Sequence, residues 1–162
     1  MNFYIKTSFL IITLLYGVCY AQERVTFEKH NVSIEQPESF EKVDFFEGLY
    51  SKSTGASIQI ETVDGVTYPF LAKGFTEDNL IPQGVTLKKK EEIQMQSGDK
   101  GLLIFMEFNV TQNGETRVFK RITLLTGNLS KTLMINTNFS PEVETLVYPA
   151  IYKALLSAKL EE

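Results

Sequence analysis

The sequence predicts an α+β fold in which a twisted antiparallel sheet is flanked by helices. Three observations predict it. Extended segments joined by explicit turn residues run from Val85 to Phe139, a shorter extended pair runs from Leu49 to Val63, and apolar residues recur at helical spacing from Val143 to Ala158.

The chain of 162 residues begins with a basic and polar start ending at Lys6, an apolar run from Phe9 to Val18, and Cys19-Tyr20-Ala21 before the polar Gln22-Glu23-Arg24. This is the three-part layout of a cleavable export signal over residues 1–21, with small residues where a signal peptidase cuts. The apolar run is too short for a membrane anchor, which needs about 20 residues. Cys19 is the only cysteine. A lipid anchor on it is the weaker reading, because Val18 stands where such sites carry a small residue.

Cleavage after Ala21 leaves residues 22–162 as a single domain with no cysteine, hence no disulfide and no thiolate chemistry. It also leaves 15 basic against 20 acidic side chains. Without a basic stripe such a chain is a poor nucleic-acid ligand, since that binding is driven by phosphate neutralisation. No linker or internal repeat divides it.

Along the chain, Val25 to Glu35 alternates loosely and Val32-Ser33-Ile34-Glu35 reads as a strand stopped by Pro37. Phe40 to Phe46 is short and aromatic, and Gly48 breaks it. Leu49 to Lys52 and Ala56 to Val63, joined by Ser53-Thr54-Gly55, form a hairpin. Pro69 starts a helix to Leu80 in which Phe70 or Leu71, Phe75 and Leu80 share a buried side. Gly74 weakens its middle, and Pro82 and Gly84 end it.

Val85 to Met95, Leu102 to Val110, Thr116 to Thr126 and Lys131 to Phe139 form a four-stranded meander. Its turns carry Ser97-Gly98-Asp99, the hairpin pair Asn113-Gly114, and Gly127-Asn128. Ser140, Pro141 and Glu142 open the last helix as cap, first residue and dipole partner. Val143, Leu146, Val147, Ala150, Ile151, Ala154, Leu155 and Ala158 give it an apolar side. Pro149 predicts a kink or break before a second helical piece ending near Lys159.

The Pro37-Glu38-Ser39-Phe40 step after a strand, and the ending Asn138-Phe139-Ser140-Pro141 through Tyr148-Pro149-Ala150-Ile151-Tyr152-Lys153-Ala154-Leu155-Leu156-Ser157-Ala158, resemble the PsbP-like group, which includes the DcrB-like proteins. Phe40 stands where that group commonly has a tryptophan. The resemblance spans nearly the whole of residues 22–162 and implies an α-β-α sandwich. It also implies accessory or binding roles in envelope and thylakoid assemblies, with no catalytic residues to carry over.

The residues themselves offer little chemistry. His30 is the only histidine and reads as a solvent-exposed residue near a strand start, without ligand spacing to Glu28 or Glu35. Glu77-Asp78-Asn79 lacks a calcium-loop pattern and reads as a solvated helix end. Lys88-Lys89-Lys90 with Glu91-Glu92 reads as a charged edge strand, because adjacent residues point to opposite faces and the three lysines cannot form one patch unless the strand bulges.

There is no Gly-x-Ser-x-Gly elbow, and a single histidine would have to serve any triad. Asn31, Asn109 and Asn128 begin Asn-x-Ser/Thr acceptor patterns. Phe105, Phe108, Phe119, Phe139, Tyr148 and Tyr152 fill the space between sheet and helix or line an apolar pocket.

The sequence therefore predicts no catalytic, cofactor-binding or metal-ligating residue. It predicts an exported, non-catalytic accessory or binding protein of the cell envelope. Its partner is another envelope or secreted protein, met through an exposed sheet face or helix edge. The alternative is a carrier or sensor of a small apolar ligand held between sheet and helix.

Overall fold

The computed structural model describes residues 23–161; residues 1–21, read from the sequence as an export signal, and Cys19 among them lie outside. A seven-stranded antiparallel sheet has the order β3-β4-β5-β9-β8-β7-β6. Its strands are β3 (Glu41–Lys42), β4 (Gly48–Tyr50), β5 (Ser57–Asp64), β6 (Val85–Gln94), β7 (Lys100–Gln112), β8 (Glu115–Gly127) and β9 (Lys131–Phe139). The predicted hairpin is β4–β5, and the predicted meander is β6 to β9. Asn113 and Gly114, both at positive φ (53° and 81°), let β7 and β8 pair up to the turn itself.

The sheet is covered on both faces. One face carries the larger core, in which Leu49, Ile58, Leu103, Leu124, Ile135 and Phe139 meet Val147, Ile151, Ala154 and Leu155 of helix α3 (Glu144–Ser157). The other carries a smaller cluster of Ile104, Met106 and Leu125 with Leu80, Leu71 and Phe75. Helical residues thus flank the sheet on either side, as the sandwich requires.

Several local expectations are corrected. Residues 68–83 do not form one helix but single turns, α1 (Tyr68–Leu71), 3-10 turns at 72–74 and 81–83, and α2 (Glu77–Leu80). Gly74 lies at the first break, and Thr76 restarts the helix in extended conformation, its hydroxyl accepting from the Asn79 amide. Phe70 is exposed, whereas Leu71, Phe75 and Leu80 do pack on the sheet.

Pro149 does not break α3, which runs unbroken from Glu144 to Ser157. The carbonyl that loses its donor belongs to Thr145, and both residues are exposed, so the carbonyl is open to solvent hydrogen bonding. Leu146 lies on the outer side, 70 % exposed, one step away from the Val147 stripe. The helix stops at Ser157, and Lys159 belongs to a strand.

That strand was not legible. β10 (Lys159–Leu160) pairs with β2 (Val32–Glu35), which also pairs with β1 (Arg24–Phe27), forming a separate three-stranded sheet. The loose alternation of 25–35 is thus a hairpin, bent at the 28–30 turn and at Asn31 in left-handed conformation. The Arg24 guanidinium donates to the Ser157 carbonyl (2.9 Å) and the Ser33 hydroxyl (2.8 Å), and Ser33 in turn donates to the Glu161 carboxylate.

This clasp titrates. The Ser33 hydrogen bond, helped by Lys159, holds the Glu161 carboxyl below its ordinary value of 4.5. A lowered folded-state pKa gives stability that is complete above the ordinary carboxylate range and is lost as pH falls through the lowered value. The Lys159 and Leu160 amides are therefore expected to lose NMR-measured protection on acidification, and Glu161→Gln to remove that pH dependence. Protection that stays flat with pH would contradict the clasp.

Candidate protein-binding face

The strand ladder decides which side chains share a face. One row runs Glu41, Tyr50, Ser57, Asn138, Arg121, Met106 from β3 to β7. The next runs Gly48, Gln59, Asn136, Thr123, Ile104. Residues 68–83 pack over Ile104, Met106, Leu125 and the neighbouring Met134. Towards β4, β5 and β9 the rows run on into half-exposed side chains, Tyr50, Ser57, Gln59, Asn136 and Asn138.

This open part of the face is polar and ordered. Arg121 Nε donates to Asn138 Oδ1 at 2.7 Å, Asn138 Nδ2 donates to Ser57 Oγ at 3.3 Å, and the Thr123 hydroxyl donates to Asn136 Oδ1 at 2.6 Å. The Arg121 guanidinium also lies 4.8 Å from the centre of the Phe108 ring, which stacks on Phe119. Burial pushes the Arg121 pKa down, opposed by the charge of Glu61. A hydrogen-bonded arginine and aromatic rings are among the residue types that protein interfaces favour at their centres.

At the β4 end the face carries an aromatic loop, residues 43–47. Phe45 is 74 % exposed and meets Phe46 and Tyr50 edge-on, with ring centres 5.0 and 6.2 Å apart. Gly48 permits this mount. A Cβ there would stand 1.9 Å from the Ile58 carbonyl oxygen and 2.7 Å from the Phe46 ring. The Ile60 amide also donates to the Glu47 carbonyl at 2.8 Å, tying the loop to β5.

The residues singled out in the sequence lie elsewhere. His30 is half-buried rather than fully exposed, its Nδ1 2.9 Å from the Thr62 hydroxyl. Glu77, Asp78 and Asn79 are exposed at the start of α2. Asn128 uses its side-chain oxygen to accept from the Ser130 and Lys131 amides, while Asn31 and Asn109 are exposed. No group of three or more acids, histidines or cysteines able to hold a metal ion occurs among the described residues, and no helix among them is long and apolar enough to cross a membrane.

The lysine run does bulge. Leu87 faces Met106 and Lys89 faces Phe105, so Lys88 is the extra residue. The bulge also switches the strand's phase. Val85 and Leu87 join the smaller cluster, whereas Ile93 and Met95 join the larger one.

Lys88 and Lys89 then reach towards α3 with Lys120, over an open groove of about 390 Å³ floored by Phe105, Ile122, Phe139 and Tyr148. Each lysine is answered by a carboxylate, Lys88 by Glu107 (2.9 Å), Lys89 by Glu91 (2.9 Å) and Lys120 by Glu144 (2.6 Å). Of the six aromatic residues considered as pocket walls, Phe105, Phe139 and Tyr148 line this groove and Tyr152 stacks on Tyr148. Phe108 and Phe119 belong to the opposite face by strand alternation.

Comparison with solved structures places this architecture. Cyanobacterial PsbP (CyanoP) from Synechocystis superposes with a TM-score of 0.59 at 13% identity, over 89% of this chain and 95% of that one. The fold is PsbP-like. The Saccharomyces cerevisiae Ran-binding protein Mog1p shares the PsbP-like fold with a TM-score of 0.58, at 11% identity, over 85% of this chain and 94% of that one. So does LpqN, a protein involved in cell envelope biogenesis of Mycobacterium tuberculosis, with 0.57 at 9% identity over 81% and 83%. No family model and no curated protein matches the sequence.

Proposed function

We propose that this protein is an exported, non-catalytic accessory module that binds another envelope or secreted protein through the open part of its sheet face. The observation that carries the reading is the exposed Phe45 loop, tied to β5 through the Glu47 carbonyl and continuous with the Arg121, Asn138 and Ser57 row. Phe45, Phe46 and Tyr50 together form a contiguous aromatic patch, exposed at Phe45, and such patches mark interaction sites. PsbP-like neighbours described as Ran-binding and as involved in cell envelope biogenesis support a binding role for the fold. The signal-like residues 1–21 support export.

The test is photocrosslinking in the cells that make the protein, with the reactive group at Gln59 or Tyr50 and, as a control, at Leu129, which is 92 % exposed in a turn. One dominant envelope or secreted protein captured from Gln59 and Tyr50 but not from Leu129 is the expected result, with the recovered chain starting at Gln22. Equal capture from all three positions, or none, would remove the reading.

A second reading, a carrier of a small apolar ligand, is favoured by the groove beside α3. Its floor is aromatic, although the space between sheet and helix proper is filled by residues with no exposed surface, Leu103, Leu124, Leu133 and Ile135 among them. Native mass spectrometry of protein taken from its cells decides it, through a co-purified small molecule or the bare chain mass.

A further inference from the structure

We propose that the aromatic loop receives a basic side chain, arginine or lysine, from an extended segment of the partner, a step that rests on the reading just given. The loop has the two parts that recognise a cation on an apolar stem. Phe45 is 74 % exposed, and Phe46 and Tyr50 meet it in T-shaped contacts, so most of its ring surface stays open to a cation. Aromatic ring faces attract cations, and they do so most where water is displaced.

Carboxylates outnumber cations in the segment that carries the rings. Between residues 41 and 50 the carboxylates are Glu41, Asp44 and Glu47, and the cation is Lys42. Lys42 is turned to the opposite face, where its ammonium donates to the Thr26 carbonyl at 2.6 Å and lies 4.9 Å from the centre of the Phe27 ring. Glu41 stands directly across the ladder from Tyr50, on the side of the rings. Its partner Lys52 is highly exposed, as is Glu41 itself, so this pair is weak and exchanges readily.

Other occupants fit less well. An acidic segment is repelled by the three carboxylates. A wholly apolar one covers Phe45 but leaves those carboxylates desolvated without partners. A metal ion lacks a cluster, as no three acidic or histidine side chains among the described residues converge.

The mount matters as much as the charge. Because Gly48 and the Glu47 carbonyl fix the loop on β5, little ordering remains to be done on binding.

The test uses the purified protein and two labelled peptides of equal length, one alternating arginine with leucine and one alternating glutamate with leucine, followed by fluorescence anisotropy. The arginine peptide is expected to bind at least about tenfold more tightly. Phe45→Ala weakens it about tenfold with no change in melting temperature, since that ring is exposed. The double change Asp44→Asn with Glu47→Gln weakens it and flattens its salt dependence. Leu129→Ala changes nothing.

Equal affinity for both peptides, binding of neither, or full affinity in the Phe45→Ala protein would overturn the inference. Failure here alongside capture from Gln59 and Tyr50 removes only the basic partner. Success here without capture in cells removes the envelope or secreted partner and leaves the cation site.

Discussion

Replacing Gly48 with alanine is expected to destabilise the protein by about 3 kcal/mol or more and to abolish partner binding together with stability. The added methyl would sit 1.9 Å from the Ile58 carbonyl oxygen, a backbone atom that cannot move without opening the β4–β5 ladder. Its second neighbour, the Phe46 ring at 2.7 Å, could swing away, but that releases the loop that presents Phe45. Leu49 and Ile58, both without exposed surface, pack in the larger core and would be carried along.

For a chain of this size the melting temperature should fall by about 6 °C or more. Gly74→Ala is the internal control, since no atom lies within 4 Å of a Cβ there and its effect should be small. Similar melting temperatures for the two variants would show that the β4 glycine is dispensable.

Phe139→Ala is the second large effect, about 3 to 5 kcal/mol. Phe139 ends β9, is 1% exposed and belongs to the core in which the sheet meets Val147 and Ile151 of α3. Removing the ring takes away its burial and leaves a hole that the short connection through Ser140 and Pro141 cannot close, because that turn is fixed between strand and helix. Thermal unfolding followed by circular dichroism should show a midpoint lower by at least about 6 °C. A shift below about 2 °C would mean that α3 is not anchored on this residue.

Much of this architecture was readable from the residues, and the parts that were not have identifiable causes. The meander was legible because Asn113-Gly114 and Gly127-Asn128 specify turns by local chemistry, and the α3 stripe because its burial follows the helical period. The hairpin β4–β5 was legible for the same reason, from Ser53-Thr54-Gly55.

Strand β6 hides a change of face, since Val85, Leu87, Ile93 and Met95 share parity in the sequence but lie in two different cores once Lys88 bulges out. A bulge is an added residue in the pairing, and pairing is not visible in one strand alone. β10 was missed because two residues, Lys159 and Leu160, carry no period, and their pairing with β2 is settled by long-range partners such as Arg24.

The candidate face was legible only in general terms, as an exposed sheet surface. Its residues come from β4, β5, β8 and β9, so no short motif unites them. Phe45 and Phe46 read as one more aromatic segment, and the exposure of Phe45 beside the close approach of Gly48 to Ile58 is visible only in the folded chain. The signal there was the glycine directly after an aromatic pair and a carboxylate.

The account rests most on the open half of the sheet being the surface that a partner covers. The direct measurement is binding of the protein captured in crosslinking to two surface variants, Gln59→Arg in the middle of that face and Leu129→Arg in the distant turn, each first shown to melt as the parent does. The account predicts that Gln59→Arg loses the partner while Leu129→Arg keeps it. Full binding by Gln59→Arg would contradict it and move the interface elsewhere on the molecule.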